Sequence, residues 1–181
     1  MKRFFLFAAL VAVPAFAAEF EGVTSPDTVT VEGKTLQLNG MGLRRKFIIN
    51  VYVGSLYVEH ASKNAADILK ADEVRRMEMK MLRDVDKKAM VEAIQTGVEK
   101  AAGAQYAGLK PRLDKFIEKF SDLKKGDVFV LQYTPGRGSR IEGAKDAAVA
   151  EGKDFADALF SVWIGAHPVD DGLKKGLLGG K

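Results

Sequence analysis

The first candidates for chemistry are the basic residues Arg44–Lys46, which stand at the head of a largely apolar segment. In Phe47–Val58 the polar side chains nearest to them are Asn50 and Tyr52. Because strand residues alternate between faces, an unbroken strand would place Arg44 on the same side as Asn50 and Tyr52. An isolated guanidinium is too costly to bury without a partner. An inward-pointing Arg44 would therefore need an anion as its partner.

Spacing alone leaves the identity of that anion open. A ligand carboxylate would suit a guanidinium, as a bidentate pair assisted by the Tyr52 hydroxyl. Alternatively, Arg44 pairs with a carboxylate of the protein itself or points into water. The two interpretations differ in function, since only the first makes Arg44 a binding residue.

Other kinds of chemistry find little support. His60 and His167 are the only histidines, the chain has no cysteine, and no carboxylate cluster stands at ligand spacing, so no metal site is predicted. Neither a G-x-S-x-G nucleophile motif nor a phosphate-binding G-x-x-x-x-G-K-[ST] motif occurs. We therefore predict no catalytic residue and no cofactor.

The N-terminus follows the plan of a secretory signal peptide. Lys2 and Arg3 precede the apolar run Phe4–Val13, and Ala15-Phe16-Ala17 fits a cleavage site. We expect residues 1–17 to be a signal peptide cleaved after Ala17, residues 18–181 to form one domain, and the mature protein to be periplasmic. The apolar run is too short to span a membrane, and no second one follows, so no membrane span is expected after cleavage.

The charge balance points away from nucleic acid. The formal net charge is +4 for the whole chain, and it falls to +2 once Lys2 and Arg3 are removed with the signal. So small an excess gives no reason to expect a nucleic-acid partner. The sequence identifies no protein partner.

Hydrophobic periodicity predicts the elements that must position Arg44. A strand over Val74–Leu82 would place Met77, Met79 and Met81 on one face. The remaining predicted elements are a hairpin formed by 29–31 and 35–38, an extended segment over 46–58, a strand over 127–133, short strands over 139–142 and 147–150, and helices over 63–70, 87–102, 107–120, 153–164 and from about Pro168. This order is that of an α+β fold with an antiparallel sheet backed by helices.

Two motifs give the chain a resemblance to a known family. Leu38-Asn39-Gly40-Met41-Gly42-Leu43-Arg44, followed by Val53-Gly54-Ser55-Leu56-Tyr57-Val58, resembles the opening strands of the chalcone isomerase family. The C-terminal segment from Gly152 to Gly165, with Pro168-Val169-Asp170 after it, is similar to that of bacterial chalcone isomerase-like proteins. The resemblance implies an open-faced β-sandwich, in which a large antiparallel sheet is backed by a layer of helices with a ligand cleft between them.

The resemblance also implies two kinds of function. In the plant enzymes the cleft cyclises chalcones to flavanones, using an arginine, threonine and tyrosine hydroxyls, and polar groups that hold the far ring. Non-catalytic relatives bind fatty acids, with the arginine on the carboxylate. Arg44 matches that arginine and Tyr52 falls at the threonine position, whereas Gln95 falls near the asparagine and Ala156 replaces a hydroxyl. No tyrosine occurs near Lys88–Met90, where the enzymes have one.

The missing hydroxyls favour binding over catalysis, and the retained arginine favours binding over a vestigial cleft. We therefore predict that Arg44 points inward, while Arg45 and Lys46 lie toward the sheet edge and solvent. We expect an exported, non-catalytic protein that binds a small apolar, fatty-acid-like acid through Arg44, with Tyr52, Asn50 and Gln95 as further ligand-binding residues. The ligand tail is expected among Met77, Met79 and Met81 of the 74–82 strand and the apolar helix faces. Two alternatives stay open: an intramolecular lyase or isomerase of the chalcone isomerase type, and a periplasmic interaction module with a vestigial cleft.

Overall fold

A curled seven-stranded antiparallel sheet forms the framework of the protein. The structure is a computed structural model that describes residues 17–142 and 149–180. The sheet has the order β3-β4-β5-β6-β7-β8-β9, and a separate hairpin pairs β1 with β2. The strands are β1 (Ala17–Phe20), β2 (Val23–Pro26), β3 (Thr28–Val31), β4 (Lys34–Lys46), β5 (Ile49–Val58), β6 (Arg75–Met81), β7 (Val128–Thr134), β8 (Gly138–Ile141) and β9 (Val149–Ala150).

Helices cover one face of this sheet. They are α1 (Ala65–Lys70), α2 (Lys87–Ala102), α3 (Tyr106–Ile117), α4 (Lys153–Ile164) and α5 (Asp171–Leu177). The main core joins sheet residues such as Leu56 and Met79 to helix residues such as Leu113 and Phe155, all of them buried. Asp86 begins α2 as its N-cap, because its carboxylate accepts a hydrogen bond from the amide of Ala89 at 2.7 Å. The predicted α+β order, with an antiparallel sheet backed by helices, is confirmed.

The β1–β2 hairpin packs against the opposite face of the sheet, and the sequence patterns did not predict it. There a smaller core of Met41, Leu43 and Val53 is covered by Ala18 and Val23. This hairpin explains why both faces of β4 and β5 are apolar. A strand buried on two sides has no polar face to alternate with its apolar one.

A turn at Phe47-Ile48 corrects the prediction that the chain runs extended over 46–58. β4 ends at Lys46 and β5 begins at Ile49, so the basic residues belong to one strand and Tyr52 to the next. Arg44 pairs with Tyr52 across the two strands, while Arg45 pairs with Asn50. Val51 is therefore the extra residue of a β-bulge, which changes the side-chain alternation at this point.

Gly40 and Gly42, the two glycines of the G-x-G-x-R motif Gly40–Arg44, allow α5 to lie directly on β4. A Cβ atom on Gly40 or Gly42 would overlap the backbone carbonyl oxygen of Gly176 or Leu173, respectively. Gly176 makes the contact reciprocal, since its own Cβ would overlap the carbonyl of Met41. The motif thus fixes the position of the last helix beside Arg44.

Most of the other predicted elements are confirmed with small shifts of their ends. The last helix begins at Asp171 rather than at Pro168, and the helix predicted over 107–120 ends at Ile117. The described residues contain no helix that is both long and apolar enough to cross a membrane. Residues 1–16 of the predicted signal peptide, and residues 147 and 148 of a predicted strand, lie outside the described residues.

Candidate functional site

Two adjoining cavities lie between the β4–β5 hairpin, α2 and the loop before α5. The outer cavity has a volume of about 280 Å³ and the inner one about 120 Å³. Both are lined by Arg44, Lys46, Ala89, Ala93 and Val169. Because they share these walls, we treat them as one cleft that runs from the surface toward the main core.

The outer cavity is predominantly basic. Lys46, Lys100 and His167 line it together with Arg44, and Glu92 is the one carboxylate among its lining residues. On the α2 side the cavity is lined in part by small residues, such as Gly97. An anionic group is therefore favoured at the entrance of the cleft.

The inner cavity is apolar apart from Arg44, Lys46 and Tyr52. Its other walls come from β5, the loop before α2, α2, α4 and the loop before α5: Val51, Val85, Ala89, Met90, Ala93, Ile94, Val162, Trp163 and Val169. Small-molecule sites in proteins typically combine such an apolar lining with a few placed polar groups. The cleft thus offers a charged entrance and an apolar interior.

Arg44 lies at the junction of the two cavities. Its side chain is 19% exposed, and its Nη1 lies 3.3 Å from Oδ2 of Asp170. The same Nη1 also donates to the carbonyl oxygen of Arg45. Within the described part of the chain, Nη2 has no protein partner. The inward orientation predicted for Arg44 is therefore observed, with a carboxylate of the protein on one side and a cleft on the other.

Asp170 connects the cleft to the last helix. Its Oδ1 accepts from the amide of Leu173 at 2.8 Å, which makes it the N-cap of α5. Its Oδ2 also accepts from the amide of Arg45 at 3.1 Å. The sequence pattern did not single out Asp170 as a site residue, although an aspartate just before an apolar helix is a known start signal.

Tyr52 forms a buried polar pair with Trp163 in the cleft wall. The Trp163 indole N–H donates to the Tyr52 hydroxyl at 2.9 Å. Burial raises the pKa of Tyr52 to about 12, although the Trp163 hydrogen bond and the charge of Arg44 act in the opposite direction. The hydroxyl is therefore neutral at ordinary pH, and its O–H can donate a hydrogen bond while its oxygen accepts the one from Trp163.

The structure does not bring all the predicted residues together. Arg44 and Tyr52 share the cleft, but the bulge at Val51 puts Asn50 beside Arg45, whose Nε donates to the Asn50 amide oxygen at 3.1 Å. The prediction that Asn50 shares a face with Arg44 is therefore wrong. Gln95 lies on α2 but lines neither cavity.

The interpretation of the methionines is also corrected. Met77, Met79 and Met81 do share one face of β6, as the alternation predicted, but all three are fully buried in the main core. None of them lines either cavity. The apolar walls come instead mainly from α2 and α4, the helix faces that were expected to share the tail with the methionines.

The comparisons with known proteins identify the fold. A family model described as chalcone isomerase-like matches residues 17–179. The chain belongs to the chalcone isomerase-like family. Among solved structures, the Arabidopsis thaliana fatty-acid binding protein AtFAP1 is similar, with a TM-score of 0.70 and 15% sequence identity over 90% of this chain and 96% of that one. No curated protein sequence matches the chain significantly.

At that level of identity, the similarity to AtFAP1 establishes the architecture. The open-faced β-sandwich expected from the sequence motifs is confirmed. Ala156, at the position where the plant enzymes are expected to carry a ring-binding hydroxyl, is fully buried in α4. No polar side chain is available at that position of this family member.

Proposed function

We propose that this protein binds a small apolar carboxylic acid, with the carboxylate on Arg44 and the chain in the inner cavity. The observation that carries the proposal is the position of Arg44, a largely buried guanidinium between a basic entrance and an apolar interior. Paired donors of a guanidinium match the geometry of a carboxylate. An apolar tail would gain free energy by leaving water for the walls of Val162 and Trp163.

The dimensions of the cleft favour a short or medium-length acid. Drug-sized ligands usually occupy sites of about 300–1,000 Å³. Taken together as one cleft, the outer and inner cavities, at about 280 and 120 Å³, lie near the small end of that range. A long-chain acid would require Met90 or Ile94 to move.

A binding role is supported over catalysis by two features. The similar structure of AtFAP1 is described as a fatty-acid binding protein. In this chain, the Tyr52 hydroxyl accepts a hydrogen bond from Trp163 and its pKa is raised to about 12, far from the near-neutral pKa that suits a general acid or base. Chalcone cyclisation would in addition need polar groups that positions such as Ala156 do not supply.

The decisive experiment is native mass spectrometry of the protein purified under mild conditions, compared with an Arg44→Ala variant. A carboxylic acid that co-purifies with the parent and is lost from the variant would support the proposal. Arg45→Ala is the matched control, because that side chain is exposed and bonds Asn50 outside the cleft. An acid retained by Arg44→Ala would contradict the assignment.

The alternatives have distinct outcomes in the same preparation. Turnover of a chalcone substrate by the parent would favour the isomerase hypothesis. A parent that carries no acid and binds none added to it would favour the vestigial cleft.

We also propose that the protein is exported after cleavage behind Ala17. The charged start, apolar run and small-residue motif of residues 1–17 support this. Edman sequencing of protein recovered from the periplasmic fraction should begin at Ala18. Recovery of the intact N-terminus in the cytoplasmic fraction would contradict export.

A further inference from the structure

The tip of the β4–β5 hairpin exposes large apolar side chains. We call Lys46–Ile49 the hairpin tip. Within it Phe47 is 90% exposed, Ile48 is 95% exposed and Ile49 is 45% exposed. Scattered single apolar residues on a surface are ordinary, but three in succession at a turn are not. Within residues 17–142 and 149–180, burial does not account for them, because none of the three belongs to a core cluster.

Local turn chemistry does not account for them either. Turns favour Gly, Asn, Asp or Pro, whereas this one has Phe47 in the left-handed region with φ of 58°. A bulky residue rarely adopts that conformation, because its Cβ is crowded there. The residue types at the tip therefore point to a role outside folding.

The tip projects beyond the neighbouring strands. The register of β5 with β6 begins at Tyr52, with one further hydrogen bond from the Leu82 amide to the Val51 carbonyl, and β3 reaches β4 only over Lys34–Gln37. Beyond the Arg44–Tyr52 pair lie the pairs Arg45–Asn50 and Lys46–Ile49 and then the turn at Phe47-Ile48, a reach of about 10 Å at the usual rise per residue. That reach matches the depth of about 5–10 Å to which interfacial segments enter the boundary between lipid headgroups and acyl chains.

Basic side chains lie next to the exposed apolar residues of the tip. Arg45 and Lys46 are exposed, and Lys100 lies across the cleft entrance from Lys46. Among the described residues that line the entrance, Glu92 is the carboxylate, and Asp170 beside it is already engaged by Arg44. The unpaired charges at this end are therefore mainly cationic.

We propose that the hairpin tip docks on an anionic phospholipid surface, with Phe47 and Ile48 inserted and Arg45 and Lys46 on the headgroups. Apolar insertion combined with cationic contact is the usual basis of reversible binding at a membrane surface. Docking in this orientation turns the cleft entrance, lined by Lys46, toward the lipid. The docking itself does not depend on the proposed acid site.

Vesicle co-sedimentation tests the proposal without any added acid. The parent should bind vesicles of phosphatidylglycerol and phosphatidylcholine, and binding should weaken in high salt. In the variant Phe47→Ser/Ile48→Ser, the partition coefficient onto vesicles should fall by about tenfold or more, because each substitution removes one apolar anchor. Val128→Ser/Val149→Ser is the matched control, because those two apolar residues are 50% and 51% exposed elsewhere. All proteins share the same N-terminal segment, so its contribution cancels.

A fluorescence measurement keeps the test independent of stability. The native chain has one tryptophan, Trp163, which is 2% exposed and buried beside Tyr52. In Ile48→Trp, the added indole should shift its emission to the blue with anionic vesicles, and brominated lipids should quench it. An unshifted emission, or a tip variant that binds as the parent does, would overturn the proposal. So would sedimentation velocity showing self-association that the tip variant abolishes while vesicle binding stays unchanged, because the tip would then be a contact between copies.

Discussion

The Asp170→Asn substitution separates the two roles of this residue and tests whether Arg44 is the anchor for an acid. Asparagine is as good an N-cap as aspartate, so α5 should still begin at the same place. The substitution removes the negative charge opposite Arg44. It also puts the side-chain NH₂ group of asparagine in place of the oxygen Oδ2, which accepts a hydrogen bond from the backbone N–H of Arg45. We expect the variant to be less stable yet to bind an acid more tightly.

The magnitudes follow from the contacts. Loss of a largely buried ion pair at 3.3 Å and one backbone hydrogen bond should lower the free energy of unfolding by about 1–2 kcal/mol. A ligand carboxylate on the same guanidinium would lie roughly 5 Å from Asp170, and two like charges at that distance repel by about 1–3 kcal/mol at the intermediate dielectric of a half-buried site. Removal of that repulsion should tighten binding by about tenfold.

Urea denaturation measures the stability change, and isothermal titration with decanoate as the probe measures affinity. Asp171→Asn is the control, since this neighbouring carboxylate is exposed and makes no contact with Arg44. It should change affinity little. If decanoate bound Asp170→Asn no more tightly than the parent, while both proteins were folded, Arg44 would not be the anchor.

Three further predictions concern stability and pH. Gly42→Ala should lower the free energy of unfolding, measured by urea denaturation, by about 2–3 kcal/mol, because the new methyl group meets the backbone of α5 at Leu173. An unchanged denaturation midpoint would refute that contact. Asp157→Ala should lower the free energy of unfolding by about 3 kcal/mol or more, because it removes the carboxylate 2.7 Å from the fully buried guanidinium of Arg75. Arg75→Met should lower it less in the same denaturation assay, because this substitution removes the buried charge itself. Burial raises the pKa of three tyrosines to about 12, namely Tyr52, Tyr57 and Tyr133. Tyrosines of the unfolded chain ionise near their ordinary pKa of 10.0. The contribution of these three to the free energy of unfolding is therefore fully present below pH 10 and is lost as pH rises toward 12. Each tyrosine lowers that free energy by up to about 1.4 kcal/mol per pH unit in this range. Denaturation midpoints flat between pH 10 and 12 would contradict this.

Local periodicity was enough to predict much of the fold. The alternation of Met77, Met79 and Met81 and the apolar periodicity of the helix over 87–102 are short-range signals, and both are confirmed. The β1–β2 hairpin was missed because its strands are short and mostly exposed, without clear alternation. The turn at Phe47-Ile48 was missed because apolar residues there contradict ordinary turn chemistry.

The site was less accessible to sequence reasoning, since its pairings are long-range. Arg44 could be singled out because a lone charge in an apolar strand requires a partner. That partner, Asp170, is 126 positions away in the chain, and no periodicity relates the two. The Trp163–Tyr52 hydrogen bond is similarly remote, at a separation of 111 residues. Asn50 was misplaced by a single extra residue.

That extra residue, Val51, has a consequence for how family members are compared. Because it shifts the register by one, the count of residues from the arginine to the hydroxyl says nothing by itself about which side chains share the cleft. A relative without the bulge would turn a different set of residues toward its arginine while keeping the same motif. Alignments of this hairpin are therefore best anchored on strand pairs, such as Arg44 opposite Tyr52, and not on sequence spacing.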